Sequence, residues 1–213
     1  MDLDALLRFL LPYVDQGFDG PPYDASVGSI LFEQAGRSAQ LHERLLTGRN
    51  GFYAFNGLLH VLGACIEPPN HSLFRWNAPD GWRASWGYMC EGMSFFAQTA
   101  FGDQFAYRGG KIVRLRVLEG AVIASHASLE EWLQSVILDP EFTLDKRLFD
   151  ACVQLHGALP YGGHFAPLPS YDYSLPLEAE SVHVVPTRDS LETAARMVRE
   201  GLVRRRSSVF PRP

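Results

Sequence analysis

The chain has 213 residues and a formal net charge of −5; 46% of its residues are hydrophobic and 20% are charged. This composition is typical of a globular protein and excludes an intrinsically disordered chain. The apolar runs are shorter than the roughly 18 residues that a membrane span needs. The apolar stretch 6–12 lacks both a basic leader and a small-residue cleavage site, so no signal peptide is expected. An odd, unclustered set of three cysteines predicts buried, reduced thiols in a cytoplasmic protein: Cys65, Cys90 and Cys152.

The charge is unevenly distributed along the chain. Residues 196–213 contain six arginines and one acidic residue, which leaves 13 basic and 23 acidic residues in the preceding part. Phosphate binding requires clustered Lys and Arg, so this acidic body suits a basic protein partner better than a nucleic acid. The alternative is an acidic surface that only confers solubility, with a solvated basic tail.

The N-terminal part is predicted to be helical. Apolar residues recur at helical spacing over residues 3–14, and Pro12 ends or kinks this helix. Residues 16–26 are rich in Gly, Pro and Asp and predict a loop. Residues 30–46 predict one helix that is interrupted near Gly36.

A β-hairpin is predicted next. The β-prone runs 52–55 and 58–61 flank Asn56 and Gly57, and Asn-Gly is the strongest short hairpin signal because both turn positions need positive φ. A loop-rich stretch with a short element at 73–76 follows.

The central stretch predicts an antiparallel meander that leads into a helix. Phe105 and Tyr107 alternate with Gln104 and Ala106, and apolar residues alternate with arginines over 113–117. A third short apolar run starts at Val122, and glycine turns separate the runs. Period-two alternation is typical of strands with one buried face. Ser128 and Glu131 have capping-box spacing, and five apolar residues then share one helical face: Leu129, Trp132, Leu133, Val136 and Ile137.

The C-terminal part is predicted to contain two helices and one short strand. Asp139-Pro140 ends the preceding helix, and Thr143 is expected to cap the next one. Residues 157–186 are irregular apart from a strand at 182–185. The last helix is expected to begin near Asp189 or Ser190, with an apolar stripe that reaches Leu202.

Because helices and strands are segregated along the chain, the sequence predicts an α+β fold. We expect a mixed or largely antiparallel sheet of short strands with flanking helices. The predicted organisation is a single domain over 1–202, with a core at about 28–138 and a helical extension at 140–202. Residues 203–213 form a basic tail that is expected to be disordered.

The sequence offers no strong catalytic or metal-binding motif. Its histidines and cysteines lack the close paired spacing of zinc ligands, and His60 is expected to be a strand residue that faces a polar edge. There is no G-x-S-x-G elbow and no phosphate-binding glycine loop. Cys90 lies beside Glu91, and a neighbouring acid raises a thiol pKa, which disfavours a nucleophile. We therefore predict no catalytic residue, no metal site and no cofactor.

The turn formed by Phe101, Gly102 and Asp103 admits two interpretations. In the functional one, Asp103 is an exposed carboxylate at a binding edge. In the structural one, which we favour, Gly102 supplies a special backbone conformation and Asp103 binds nearby backbone amides. Exposed acids and aromatics near the loops supply the candidate partner contacts: Asp80, Trp82 and Asp103.

The order and spacing of several short motifs resemble the SUKH superfamily. The turn Asn50-Gly51-Phe52 precedes a strand pair, Phe101-Gly102-Asp103 precedes a second strand pair, and a helix follows at 128–137. The resemblance covers about residues 28–138 and is weaker from 140 onward, where GGHFAPLP is only loosely similar to the late glycine-rich segment of the family.

This resemblance implies an α+β fold and a protein that binds other proteins. Bacterial members are similar to immunity proteins, which bind and neutralise a cognate toxin; a basic toxin such as a nuclease would complement the acidic body. Eukaryotic members imply the alternative of a regulatory or scaffolding protein. A third hypothesis is a hydrolase that uses Asp103 with His60 or His126, and it predicts a pocket in which these side chains converge.

Overall fold

The computed structural model describes residues 3–29, 35–173 and 175–201. The helices within these residues are α1 Leu3–Leu10, α2 Ala25–Gly28, α3 Ala39–Gly48, α4 Leu73–Trp76, α5 Arg83–Trp86, α6 Leu129–Leu138, α7 Pro140–Leu144, α8 Lys146–His156 and α9 Thr187–Arg199. The strands are β1 Phe52–Ala54, β2 Leu59–Val61, β3 Ser94–Thr99, β4 Gln104–Arg108, β5 Lys111–Arg116, β6 Ala121–His126, β7 Gly163–Pro167 and β8 Val182–Pro186.

The sheet is an antiparallel meander, and the α+β prediction is confirmed. Strands β1 to β6 lie side by side in sequence order, each antiparallel to its neighbour, whereas β7 and β8 form a separate antiparallel hairpin. Helices flank the six-stranded sheet. Short turns connect β1 to β2 and the strands from β3 to β6, whereas residues 62–93, with α4 and α5, connect β2 to β3. None of the helices within the described ranges is long and apolar enough to cross a membrane.

The first hairpin forms where Asn-Gly predicts it. Phe52 pairs with Val61 and Ala54 with Leu59, so the turn lies at residues 55–58. Asn56 and Gly57 both have positive φ, at 60° and 93°. Phe55 also has a positive φ of 56°, which the sequence did not indicate because bulky residues rarely adopt it.

The prediction of one buried sheet face is wrong for the central strands. All six residues of β3 and the first four of β4 are buried, so both faces of the sheet are covered there. On one side, the Trp132 ring of α6 packs edge-on against Phe96 and Phe105. Alternation of apolar and polar residues along a strand predicts that the apolar face is buried. Whether the polar face is also buried depends on the elements that pack against it.

The Ser128 cap that begins α6 is confirmed, but the reciprocal half of the predicted capping box is shifted by one residue. Ser128 Oγ accepts a hydrogen bond from the Glu131 amide at 3.3 Å. The Glu131 carboxylate reaches back to the amide of Ala127, one residue before Ser128, at 2.6 Å. Ser128 thereby supplies a side-chain partner for one free amide of the first turn, and Glu131 fixes the chain that leads into the helix.

The C-terminal third departs from prediction at the cap of α8, at β7 and at the start of the last helix. Thr143 does not cap α8; it lies in α7, and its hydroxyl donates to the Ser135 carbonyl at 3.1 Å. Asp145, in the left-handed conformation, precedes α8 instead. The predicted strand at 182–185 is confirmed as β8, but its partner β7 was missed, so the part after residue 140 is not purely helical.

The last helix begins at Thr187, two residues before Asp189 and three before Ser190, the two expected starts. Leu202 and the tail 203–213 lie outside the described residues, as does the segment 30–34 of the predicted broken helix. Hydrogen bonds tie the C-terminal part to the rest; for example, Trp86 Nε1 donates to the Leu191 carbonyl at 3.1 Å, and the Phe165 amide donates to the Ala100 carbonyl at 2.8 Å. Residues from α1 to α9 share one hydrophobic core.

Candidate binding groove

Asp103 lies at the start of β4, where the chain reverses after β3. Gly102 has a φ of +85°, and the turn closes through hydrogen bonds between Thr99 and residues 102 and 103. Asp103 is only 3% exposed. Its Oδ1 accepts from the Val117 amide at 3.1 Å, as the structural interpretation predicted. The alternative of an exposed binding carboxylate is wrong, because the turn directs Asp103 inward.

Two arginines of β5 complete the environment of Asp103. Arg114 is 2% exposed and binds Asp103 Oδ2 through Nε at 2.9 Å and through Nη2 at 2.7 Å. Its guanidinium also binds Asp145 and donates to the Phe142 and Thr143 carbonyls at the end of α7, at 3.1 and 2.8 Å. Arg114 therefore fixes α7 to the sheet while it neutralises Asp103.

The second arginine, Arg116, forms the outer part of this cluster. Its guanidinium lies 3.3 Å from Asp103, 3.4 Å from Asp145 and 3.4 Å from Glu119. Burial alone would lower the pKa of Arg116, but the charges of Asp103, Asp145 and Glu119 outweigh burial and raise this pKa above its usual value. The side chains of Asp145 and Glu119 are 36% and 21% exposed, so this edge of the cluster faces solvent.

The exposed edge of the cluster opens into a groove with two cavities. The first, about 220 Å³, is bounded by Asp103, Arg116, Glu119 and Asp145 on one side. Its apolar wall consists of Phe101, Leu118, Leu148, Tyr171, Tyr173 and residues 175–177. The second, about 360 Å³, shares Phe101, Leu118 and Tyr173 with the first and extends along the exposed side of α9 past Asp189, Thr193 and Arg196. We call the two cavities together the tyrosine groove.

A buried polar network occupies another part of the sheet. His60 Nε2 lies 2.7 Å from His71 Nδ1, and the Gln98 side chain binds His60 Nδ1 at 2.9 Å and His164 Nε2 at 3.1 Å. The Gln104 amide group donates to Gln98 Oε1 at 3.1 Å. Gln98 Nε2 donates to His60 Nδ1, so the ring proton of neutral His60 lies on Nε2. Gln98 Oε1 can only accept, so His164 also carries its proton on Nε2.

The histidines of this network are neutral at physiological pH. Burial lowers the pKa of His164 to about 3 and that of His71 to about 4; burial and the neighbouring histidines lower the pKa of His60 well below its usual value. His60 does not face a polar edge as predicted. It is buried, and its ring stacks on Tyr53 with 4.0 Å between ring centres.

The convergence that a hydrolase requires is not found among the described side chains. Asp103 makes no hydrogen bond to His60 or His126 there; its partners are the two arginines and the Val117 amide.

Burial raises the pKa of Cys90 to about 12, so burial rather than Glu91 is the cause of this shift. Over the described ranges, no group of three or more His, Cys, Asp or Glu is placed to hold a metal ion.

The other two predicted contacts lie away from the groove. Trp82 is 3% exposed, and its Nε1 donates to the Trp76 carbonyl at 3.0 Å, so its expected exposure is wrong. Asp80 is exposed in the loop between α4 and α5 but lines neither cavity. Sequence reasoning missed the groove wall because much of it, Tyr171, Tyr173 and residues 175–177, lies in the irregular segment 157–186. The sequence YDYSLPL at 171–177 was the available signal, since exposed Tyr and Leu are common in interfaces.

Comparisons with known proteins bear on the fold alone. No protein-family model matches the chain, and no curated protein matches it. Among solved structures, the crystal structure of Atu4351 from Agrobacterium tumefaciens is similar, with a TM-score of 0.62 and 13% sequence identity. The match covers 91% of this chain and 87% of that chain. The α+β architecture of this chain is therefore one that a solved protein also adopts over nearly its whole length.

Proposed function

We propose that this chain is a non-enzymatic, protein-binding immunity protein that captures and neutralises a cognate toxin in the cytoplasm. The observation that carries the proposal is the tyrosine groove, an open cavity pair with an aromatic and aliphatic wall beside a fixed set of charges. Protein interfaces are enriched in tyrosine and arginine at their centre, and their rim is polar. A groove whose charges are held by the fold loses little entropy when a partner binds.

The chemistry of the buried groups supports a binding role over a catalytic one. Burial raises the pKa of Cys65 and Cys152 to about 11, which leaves these thiols protonated and poor as nucleophiles. The histidine network is enclosed and neutral, and its hydrogen bonds join side chains of the core to one another. Such a network stabilises and specifies a fold.

The test is a pull-down from the source cell with this chain as bait, followed by co-expression. Elution with increasing salt and mass spectrometry identify the partner, and the partner gene is then expressed with and without this chain. The proposal expects a partner that arrests growth alone and is harmless together with this chain. A housekeeping regulator or enzyme as the partner would instead support the scaffolding alternative.

A further inference from the structure

We propose that the tyrosine groove takes an extended partner segment in which a lysine or arginine lies next to a large apolar residue. The cation would lie against Asp145 and Glu119 in the first cavity, and the apolar side chain would enter the second cavity along α9. This assignment rests on the proposed function, because it names the chemistry of the partner at the same site.

The charge of the groove favours a cation. Four carboxylates line the two cavities, Asp103, Glu119, Asp145 and Asp189, against the two guanidinium groups of Arg116 and Arg196. The buried Arg114 behind Asp103 adds a third positive charge and still leaves an excess of one negative charge. A groove with this balance attracts a basic segment and repels an acidic one.

Two of these carboxylates retain unused acceptor capacity. Asp145 binds its arginines through Oδ2, and Glu119 binds Arg116 through Oε1. Neither Asp145 Oδ1 nor Glu119 Oε2 accepts a hydrogen bond from any described residue. The contacts from Arg116 to both residues are 3.4 Å long, well beyond the 2.7–2.9 Å or so of a strong charge-assisted hydrogen bond. A partner cation can therefore bind both acids without breaking the inner Arg114–Asp103 pair.

The wall of the groove supplies the second half of the recognition. Tyr171 and Tyr173 pack edge to face with 5.0 Å between ring centres, and Leu175 leaves 56% of its surface exposed. Apolar walls lower the local dielectric, so the attraction between a partner cation and the two acids is stronger than on an open surface. The second cavity, which Phe101, Leu118 and Tyr173 help to line, has room for a large apolar side chain.

The experiment compares three forms of the full chain against short random peptides displayed on phage. The test variant is Glu119→Gln with Asp145→Asn, which keeps both shapes; Asn also tolerates the left-handed backbone of residue 145. The matched control is Asp80→Asn with Glu91→Gln, which removes the same charge from exposed positions outside the groove. Thermal melting verifies that each variant is folded.

The proposal expects wild type to select peptides with Lys or Arg beside an aromatic or aliphatic residue. Binding of the best such peptide should weaken about tenfold in the test variant, since each partly exposed ion pair accounts for a factor of about three to five. The control should bind like wild type. Selection of acidic or uncharged peptides, or equal binding by the test variant, would overturn the assignment.

A steric variant keeps the test decisive if the double substitution unfolds the chain. Thr193 is exposed on α9 and lines the second cavity, so Thr193→Lys fills that cavity and adds a repelling charge on the helix surface. We expect this variant to remain folded and to bind the selected peptide at least tenfold more weakly; unchanged binding would refute the groove as the site.

If a natural partner binds wild type and these variants alike, the groove assignment fails while the proposed function stands. If no natural partner is found, the proposed function fails on its own.

Discussion

Replacing Asp103 with asparagine tests whether the buried charge cluster stabilises the fold. Asp103→Asn keeps the shape of the side chain and its hydrogen bond from the Val117 amide but removes the negative charge. Arg114 has a side chain that is only 3% exposed, so water cannot replace the lost charge. Removing one partner of a buried ion pair costs about 3–5 kcal/mol, because the other charge stays buried without compensation.

The second acid that binds Arg114 places the expected loss at the lower end of this range. Asp145 still neutralises Arg114 from the other side in the variant. We therefore expect the free energy of unfolding to fall by about 3 kcal/mol, which for a chain of this size lowers the Tm by about 6–12 °C. The matched control is Asp80→Asn, an exposed acid whose loss should change the free energy of unfolding by less than about 0.5 kcal/mol.

The assay is urea unfolding followed by far-ultraviolet circular dichroism, with thermal melting as a second measure. If Asp103→Asn lies within about 1 kcal/mol of wild type, Arg114 must be adequately served by Asp145 and the α7 carbonyls alone. The reasoning that Asp103 is a structural carboxylate would then be wrong.

Three further predictions concern the histidine network, a helix cap and a glycine. His60, His71 and His164 have pKa values below the ordinary 6.5, so their stabilisation is present above pH 6.5 and is lost as the pH falls. Each of these histidines should lower the free energy of unfolding by about 1.4 kcal/mol per pH unit below 6.5. Urea unfolding at roughly pH 7.5 and pH 5.5 measures this loss, and equal stability at the two pH values would contradict the prediction. Ser128→Ala removes the cap of α6 and should lower the free energy of unfolding by about 1 kcal/mol, whereas Ser128→Asp should preserve it. Gly51 has a φ of +69°, and a Cβ there would lie 2.2 Å from His71 Nε2, so Gly51→Ala should cost more than about 2 kcal/mol; a thermal melt like that of wild type would show that the network can shift.

Local patterns in the sequence determined the meander and its helix. Asn56 and Gly57 have the positive φ that a tight hairpin turn needs, and few other residue pairs adopt it at low cost. The Ser128 cap and the apolar spacing that follows it define α6 without reference to the rest of the chain. These features depend on neighbours within a few residues, so the sequence alone is sufficient to predict them.

Only the tertiary structure decided which polar residues are buried and what they contact. Asp103 is an acid in a turn, a place where exposure is usual, and it is buried because Arg114 and Arg116 project from the neighbouring strand and Asp145 closes the cluster from the start of α8. The tyrosine groove likewise joins Asp103 and Glu119 to Tyr171 and Tyr173, which lie more than 50 residues later in the chain. These residues lie far apart in the sequence, and only the packing of α7, α8 and β7 onto the meander brings them together. Burial and charge pairing depend on distances in space rather than along the chain, so the sequence alone does not predict them.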